Sequence, residues 1–325
     1  MIPLINPANG RPLTRVGDAF VDDAGARFPV VRDVPRFVPE HNYADNFGFQ
    51  WNRFQKTQID RETPDALSLS RERFFVETAW DRQDLTGQTI LEVGSGAGRF
   101  SQIVLDYTPA TLYSIDYSDA VSANYRNNGQ HGDRFHLFQA SVYDMPFPDN
   151  SFDKVFCFGV LQHTPDFRKS VHALVAKAKP GGEVIVDFYA VNGWWTKLHA
   201  KYLFRPITKR WSHETLLQRI DANVDWMMAF CRFTDRIGIG RFVNRFVPIV
   251  DIAGTLPPNL SPAQLREWTV LDTFDMFSPE HDHPQRIDTV RRWFEEAGCT
   301  VTLADTLRFG NNFAAATVRA LKARA

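Results

Sequence analysis

The chain has 325 residues, 44% of them hydrophobic and 23% charged, which suits one large α/β domain with additions or two modest globular domains. Its formal net charge of −1 gives no support to a nucleic-acid binder, because the electrostatic footprint of such proteins is usually basic. Its three cysteines are scattered and odd in number, which favours reduced core residues over a disulfide framework or a metal cage.

Residues 1–40 contain short β-like pieces separated by turn signals, such as NPANGRPL and VDDAGARFPVV. A stretch so rich in Pro, Gly and turns predicts a small appended β module. The N-terminus lacks a basic segment followed by an apolar one, and no apolar run approaches about 18 residues. We therefore expect a cytoplasmic protein without a transmembrane segment.

Between residues 41 and 190, short apolar strands alternate with helices after an initial aromatic and polar segment. The strands are predicted at QTILEVG, TLYSID, RFHLFQAS, FDKVFCFGV and GGEVIVDFYA, and helices are predicted between most of them. This alternation predicts βαβ units and a parallel sheet with helices on both faces.

The alternation stops over residues 191–284, where we predict a helical insertion that caps a substrate pocket. Its segment SHETLLQRIDANVDWMMAFCRF places apolar residues on one helical face and is interpreted as an amphipathic packing helix. Residues 285–325 return to a helix and two strands, CTVTLAD and NNFAAATVRA, with no helix between them. These two strands should pair antiparallel, so the predicted fold is a Rossmann-like, seven-stranded and mostly parallel sheet with one antiparallel edge hairpin.

The stretch LEVGSGAGRF, residues 91–100, places three glycines between a buried strand and a helix. A nucleotide-type ligand needs such a turn, since the backbone approaches it closely and helix N–H groups point at it. The dinucleotide fingerprint G-x-G-x-x-G is not met, because Arg99 stands where its third glycine would be. Glu92 would repel a pyrophosphate but suits a cation. S-adenosylmethionine, with an ammonium, a sulfonium and no phosphate, is the predicted cofactor.

These residues resemble the first motif, E-x-G-x-G-x-G, of the class I S-adenosylmethionine-dependent methyltransferases. Further similar segments follow in the family's order: SIDYS, QASVYDMPFPDNSFD and the KPGG turn. The resemblance covers residues 85–190 by motif and 286–320 by topology. It implies that Asp116 binds both ribose hydroxyls. Ser141 replaces the acid that usually meets the adenine amino group, and its hydroxyl can still accept that hydrogen bond.

The resemblance implies a set of cofactor-binding residues that spans the motifs. Val142 would pack on the adenine face, and Phe49, Gln50 and Trp51, in a segment similar to a bacterial subgroup of the family, would close over the methionine end. The full set is Gln50, Trp51, Glu92, Gly94, Ser95, Gly96, Gly98, Arg99, Asp116, Tyr117, Ser141, Val142 and Phe158.

In the same subgroup the N-terminal module resembles a degenerate zinc ribbon. Its four ligand positions would be Asn6, Asn9, Val21 and Ala24. Neither amides nor aliphatic side chains supply the soft, charged ligands that zinc prefers, so no zinc should bind.

His163 follows the predicted fourth strand, at the sheet edge where open α/β folds bind ligands. A histidine there suits a general base at neutral pH, although it would equally fit a helix-entry residue that borders the cofactor. His281 and His283, with Asp275 and Asp282 nearby, have metal-like spacing. We expect a solvated loop there and no metal site. A loop that covers the substrate is the second interpretation.

A basic, aromatic stretch places Lys197, Lys201, Arg205 and Lys209 at four-residue steps. It predicts either a solvated helix face, or a site for an anionic substrate, or a surface that contacts a membrane. Charge is uneven around it: residues 193–245 hold ten Lys and Arg against four Asp and Glu, and residues 251–305 hold four against ten.

The sequence therefore predicts a methyltransferase acting on a small molecule such as a sugar, lipid or secondary metabolite, with oxygen the preferred acceptor atom and carbon or nitrogen open. Its predicted substrate-contacting residues are Tyr189, Lys201, Arg205, Asp275 and His281. One alternative is a nucleic-acid (RNA) methyltransferase, although FGVLQ stands where base-methylating enzymes carry N/D-P-P-Y/F. Another is a non-catalytic, cofactor-binding partner subunit.

Overall fold

A computed structural model describes residues 2–39, 42–62, 69–191, 193–250, 255–256 and 260–324, without the side chains of residues 194 and 195. The strands are β1 (Thr14–Val16), β2 (Ala19–Val21), β3 (Arg27–Val31), β4 (Val34–Pro35), β5 (Thr89–Val93), β6 (Thr111–Asp116), β7 (Phe135–Gln139), β8 (Phe152–Cys157), β9 (Ala178–Phe188), β10 (Cys299–Phe309) and β11 (Phe313–Lys322). The α-helices are α1 (Asp45–Arg53), α2 (Leu69–Thr78), α3 (Arg99–Tyr107), α4 (Val121–Asn128), α5 (Phe167–Lys177), α6 (Ala200–Thr208), α7 (His213–Arg236), α8 (Gly240–Val243), α9 (Pro262–Phe277) and α10 (Ile287–Glu296).

The central sheet has seven strands in the order β10-β11-β9-β8-β5-β6-β7. The pairs β5–β6, β5–β8, β6–β7 and β8–β9 are parallel. The hairpin β10–β11 and its junction with β9 are antiparallel. The predicted fold class is therefore confirmed, including the edge hairpin that follows from two strands with no helix between them.

A hydrophobic core lies on each face of this sheet. Neighbouring residues of β5 serve opposite cores, because successive side chains of a strand point to opposite faces. Ile90 packs with Phe156 and Ile185 on one side, whereas Leu91 packs with Val155 and others on the second. All of these side chains are almost fully buried. Strands that are covered on both faces read as continuous apolar runs, which is the pattern of a parallel sheet with helices on either side.

Helices α6 to α9 lie between β9 and α10, in the segment predicted as a helical insertion. The predicted amphipathic helix is confirmed as α7, which Ser212 caps by accepting a hydrogen bond from the N–H of Thr215 at 3.2 Å. Its buried stripe packs on α9 in a core of its own. The stripe consists of Leu216, Ile220, Val224, Met227, Cys231 and Thr234. No helix of the described ranges is both long and apolar enough to cross a membrane.

The N-terminal residues form the predicted β module, a four-stranded antiparallel sheet in the order β1-β2-β3-β4. Its two loops are joined by hydrogen bonds around Asp22, whose carboxylate accepts from the amide groups of Asn6 at 2.7 Å and Asn9 at 3.1 Å. The same carboxylate accepts from the backbone N–H groups of Ala24 and Ala26. A carboxylate thus joins the loops on which the zinc-ribbon likeness placed its ligand positions. The likeness itself stays a prediction.

Candidate active site

The glycine-rich turn joins β5 to α3 at the carboxyl edge of the sheet. Gly94, Gly96 and Gly98 have φ angles of 81°, 52° and 88°, which side chains rarely adopt. A β-carbon at Gly94 would collide with Val160, and one at Gly98 would collide with Asn124. The turn therefore requires glycines because its backbone is tightly surrounded, and it lies at the edge where open α/β sheets bind ligands.

Glu92 lies beneath this turn with 2% of its surface exposed. Its carboxylate accepts hydrogen bonds from the hydroxyls of Ser101 in α3 and Ser114 in β6, the second at 2.7 Å. Burial raises its pKa to about 7. The sequence suggested that this carboxylate points at a cationic ligand. In the structure one of its oxygens fastens α3 to β6 through two serine hydroxyls. A role toward a cationic ligand stays a prediction.

Asp116 ends β6 and is 9% exposed. One carboxylate oxygen accepts the backbone N–H of Gly96 at 2.8 Å, and the other accepts the N–H and hydroxyl of Ser118 at 2.8 and 2.7 Å. Burial raises its pKa, which the hydrogen bonds partly offset. A carboxylate has about four acceptor positions, so one remains for a ligand hydroxyl. Asp116 thus fixes the glycine turn and keeps its predicted place as a ribose-binding residue.

The predicted adenine-side residues lie just beyond β7. Ser141 is 8% exposed, and its hydroxyl accepts the N–H of Tyr143 at 3.1 Å. Val142 beside it is buried. Tyr117, at the end of β6, packs its ring on Tyr43 with a centroid distance of 4.8 Å. The hydroxyl of Ser141 keeps its hydrogen free for donation and a second acceptor position, which leaves it able to meet an amino group.

Helix α1 covers both the glycine turn and the His163 region. A β-carbon at Gly96 would lie 3.0 Å from the indole nitrogen of Trp51. One turn earlier, Phe47 packs on His163 with ring centroids 5.2 Å apart. Gln50 is 1% exposed, and its Oε1 has no hydrogen-bond partner among the described residues. The hydroxyl of Ser95 is likewise buried and unsatisfied there. A glycine-rich turn with buried, unsatisfied polar atoms around it fits the binding of a small polar cofactor.

Two residues of the predicted cofactor set are used elsewhere. Phe158 is 6% exposed, and its ring packs edge to face on Phe100 at 5.3 Å between centroids, within the aromatic core. Arg99 donates to the hydroxyl of Ser70 at 2.8 Å and to Oε1 of Gln58 at 3.1 Å. These contacts place Phe158 in the core and Arg99 in a network with α2, and their binding of the cofactor stays a prediction.

His163 ends a short 3-10 turn, Leu161–His163, directly after β8, and is 5% exposed. Its Nδ1 lies 3.0 Å from the carbonyl oxygen of His281. A carbonyl can only accept, so Nδ1 carries the proton and the lone pair of the neutral ring lies on Nε2. Nε2 is buried and has no hydrogen-bond partner in the described part of the chain. Burial lowers the pKa of His163, so the ring is neutral at physiological pH.

The predicted substrate residues gather around this histidine. The ring of Tyr189 meets the ring of His163 edge to face at 5.6 Å, and its hydroxyl donates to Asp275 at 3.2 Å. The ammonium of Lys201 lies 4.5 Å from the centre of the Tyr189 ring. Gln162, next to His163, is fully buried, and neither its Oε1 nor its Nε2 has a partner among the described residues. The cluster therefore contains an aromatic wall, a carboxylate and several unsatisfied polar atoms.

The basic stripe, which consists of Lys197, Lys201, Arg205 and Lys209, only partly matches the predicted solvated helix face. Lys197 and Lys209 are exposed, but Arg205 is buried, Lys201 is half-buried, and both form ion pairs with Asp282, each at 3.0 Å. A solvated face is therefore wrong for these two residues, because both are paired with the carboxylate of Asp282. That carboxylate offsets one of their two positive charges, and a site for an anionic substrate stays a prediction.

Arg205 also holds the loop before α10 through its backbone carbonyls. It donates to the carbonyls of Pro279 at 2.7 Å and His281 at 2.7 Å. The carbonyl of His281 is the same one that faces His163. The side chain of His281 packs edge to face on Tyr43 at 5.3 Å and stacks on His283 at 5.7 Å. Within the described ranges no three His, Cys, Asp or Glu side chains form a group that would hold a metal ion.

Three comparisons with known proteins bear on this site. Residues 91–186 match the family described as a methyltransferase domain. An uncharacterised protein of Synechococcus is 28% identical over 222 residues, 65% of this chain and 47% of that protein. The tRNA U34 carboxymethyltransferase of Nautilia profundicola is 30% identical over 132 residues, 37% of this chain and 43% of that enzyme. The chain thus spans less than half the length of these relatives. The magnesium protoporphyrin IX methyltransferase of Synechocystis is 12% identical, with a TM-score of 0.46 over 86% of this chain and 97% of that enzyme.

Proposed function

We propose that this chain, whose residues 91–186 match a methyltransferase domain, is a class I S-adenosylmethionine-dependent methyltransferase that methylates a small-molecule acceptor at oxygen, with His163 as the general base. The observation that carries the proposal is the buried, unsatisfied Nε2 of His163. Buried polar atoms are almost always hydrogen-bonded in folded proteins, so an orphaned one at a ligand edge indicates a partner that arrives with the substrate.

The cofactor would be held by the residues around the glycine turn. Gly94 and Gly96 offer bare backbone, Asp116 offers a carboxylate at the end of β6, and Ser141 with Val142 offers a polar and an apolar contact beyond β7. When bound there, S-adenosylmethionine supplies a methyl group that its sulfonium already activates. The protein therefore has to align an acceptor and take up its proton.

The histidine suits the removal of a hydroxyl proton for two reasons. The carbonyl of His281 fixes Nδ1 as the protonated nitrogen, which leaves the lone pair on Nε2, in a ring that packs against Tyr189. A lowered pKa keeps the ring in its neutral, proton-accepting form at pH 7. A hydroxyl acceptor must lose its proton during methyl transfer, so it needs a base. A neutral amine already carries a nucleophilic lone pair and can be methylated without one.

The chemistry of the cluster around His163 favours a small polar molecule over RNA. Lys201 and Arg205, two cations beside the cluster, are both engaged in ion pairs with Asp282, which competes with the phosphate contacts that dominate nucleic-acid binding. One relative is a tRNA U34 carboxymethyltransferase, so an RNA acceptor is the alternative outcome of the test.

The test follows the transferred methyl group. The full chain is incubated with S-adenosylmethionine labelled at its methyl group and with separated small-molecule and RNA fractions of a cell extract. We expect label in the small-molecule fraction, insensitive to nuclease, together with release of S-adenosylhomocysteine. Label in nuclease-sensitive RNA would replace the small-molecule acceptor with the RNA alternative. Cofactor binding without any S-adenosylhomocysteine release would identify a non-catalytic subunit.

A further inference from the structure

Helix α6 is amphipathic in the reverse sense to an ordinary surface helix. Its charged face is buried: Lys201 and Arg205 pair with Asp282 beneath the helix. Its apolar side chains Leu203 and Ile207 point to solvent and are 53% and 58% exposed. A surface helix in water normally buries its apolar stripe and exposes its charges. The exposed apolar face of α6 therefore needs an apolar environment outside the protein.

The neighbouring helices extend this apolar surface. Fifteen large apolar side chains are exposed in the described part of the chain, and ten of them fall between residues 203 and 246. We call these ten the apolar patch: Leu203, Phe204, Ile207, Trp226, Phe230, Phe233, Ile237, Ile239, Phe242 and Phe246. Scattered exposed apolar residues are normal, but a concentration in one segment marks an interaction surface.

Hydrogen bonds tie the separate parts of the patch together. Asn244 donates to the carbonyl of Cys231 at 3.3 Å and to the carboxylate of Asp235 at 3.1 Å, which holds the segment after α8 against the end of α7. Arg245 donates to the carbonyl of Leu198 at 2.5 Å, just before α6 begins. The exposed side chains thus belong to elements that contact one another.

Basic side chains are interspersed with the patch. Residues 203–246 contain eight Lys and Arg against four Asp and Glu. Arg232, Arg236 and Arg241 are exposed beside the apolar side chains of α7 and α8. Two of the four acids, Asp221 and Asp225, are paired with Arg266 of α9 at 2.8 and 3.0 Å. The surface is therefore apolar and, on balance, positively charged.

We infer that the apolar patch docks the protein on the surface of an anionic lipid bilayer. Exposed aromatic and aliphatic side chains with arginines between them are the features of helices that lie in the membrane interface, and the positive charge complements anionic headgroups. A second copy of the chain fits less well, since a two-fold symmetric contact through this face would place its positive charges against one another. Helix α6, which carries part of the patch, also holds through Arg205 the loop that orients His163, so docking would place the His163 cluster near the bilayer.

Vesicle co-sedimentation of the full chain tests this inference without any methyl-transfer assay, so its outcome is separate from that of the proposed function. The probes are vesicles of phosphatidylcholine alone and of phosphatidylcholine mixed with phosphatidylglycerol. We expect binding to the anionic vesicles that weakens with salt, and a loss of about tenfold or more in the double variant Phe233→Asp/Phe242→Asp. The matched control is Val16→Asp/Val31→Asp, which changes two side chains that are 54% and 45% exposed on the β module and should bind like the wild type.

Circular dichroism of each variant verifies its fold. If the first double variant does not fold, Ile207→Asp on α6 and Arg232→Gln/Arg236→Gln on α7 replace it, and each should weaken the anionic binding. Wild-type protein that stays in the supernatant with both vesicle types would overturn the inference. Unchanged vesicle binding in the patch variants would also overturn it. A dimer in light scattering that Phe233→Asp/Phe242→Asp dissociates, without vesicle binding, would assign the patch to a second copy instead.

Discussion

Replacing Arg205 with Met tests whether the centre of the basic stripe is buried structure. The substitution keeps most of the side-chain stem but removes the ion pair with Asp282 at 3.0 Å. It also removes the N–H groups that bond the carbonyls of Pro279 and His281 at 2.7 Å each. The side chains of Arg205 and Asp282 are only 7% and 4% exposed, so solvent cannot take over these bonds.

The expected loss of stability follows from these contacts. Removing one partner of a buried ion pair typically costs about 3–5 kcal/mol, because the other charge is left without compensation. Lys201 still pairs with Asp282 at 3.0 Å, which should limit the loss to about 2–4 kcal/mol. Turnover should fall as well, since the carbonyl that orients His163 loses one of its two donors.

Urea unfolding at neutral pH, followed by far-ultraviolet circular dichroism, measures this loss. The matched control is Arg210→Met, at an exposed arginine in the same segment, which should change the free energy of unfolding by no more than about 0.5 kcal/mol. An Arg205→Met protein as stable as the Arg210→Met protein would refute the buried role of Arg205 and return it to the solvated stripe.

Three further outcomes follow from single carboxylates. Asp116→Ala should weaken the binding of S-adenosylmethionine in calorimetry by about 1.5–3 kcal/mol, since the one charge-assisted hydrogen bond that its carboxylate can still accept from the ligand is lost; unchanged affinity would contradict its role. Hydrogen bonds from Asn6 and Asn9 lower the pKa of Asp22 to about 2, so this carboxylate stabilises the β module above its ordinary pKa near 4, and the contribution is lost as the pH falls to about 2. Asp22→Asn should remove that acid-sensitive step in thermal unfolding. The β module should also contain no metal, and stoichiometric zinc that survives chelation would contradict this. Burial raises the pKa of Glu92 to about 7, so its stabilising contribution is complete below its ordinary pKa of 4.5 and falls by about 3 kcal/mol as the pH rises through 7. Glu92→Gln should flatten this slope in urea unfolding, and an unchanged slope would show that Glu92 is not buried as described.

The strands, the glycine turn and the hairpin were predictable because local pattern specifies them. Apolar runs bounded by turns predicted β5 to β9, and the missing helix before β11 predicted its antiparallel pairing. The amphipathic stripe of α7 likewise follows from a spacing of three and four residues. In each case the signal lies within one continuous segment.

The partners of charged side chains were not predictable, because they lie far apart in the chain. Asp282 is about eighty residues from Lys201 and Arg205, and nothing in their spacing indicates that one carboxylate pairs with both. The motif made Glu92 visible, whereas its hydrogen-bond partner Ser114 on the next strand gave no signal. The reversed amphipathicity of α6 is hidden for the same reason, since periodicity finds a stripe without telling which side faces the protein.

The central claim is that Nε2 of His163 accepts the proton of the acceptor. It is tested most directly by the pH dependence of kcat/KM for methyl transfer, measured with the wild type, His163→Ala and the control His283→Ala, whose exposed imidazole lies in the loop that holds His163. The lowered pKa of His163 predicts a wild-type rate that falls only below pH 6.5, as the base becomes protonated. His163→Ala should lose about 10²–10⁴-fold in turnover, with unchanged cofactor affinity and without the acid limb, whereas His283→Ala should keep both. A His163→Ala protein with wild-type turnover and the same acid limb would contradict the claim.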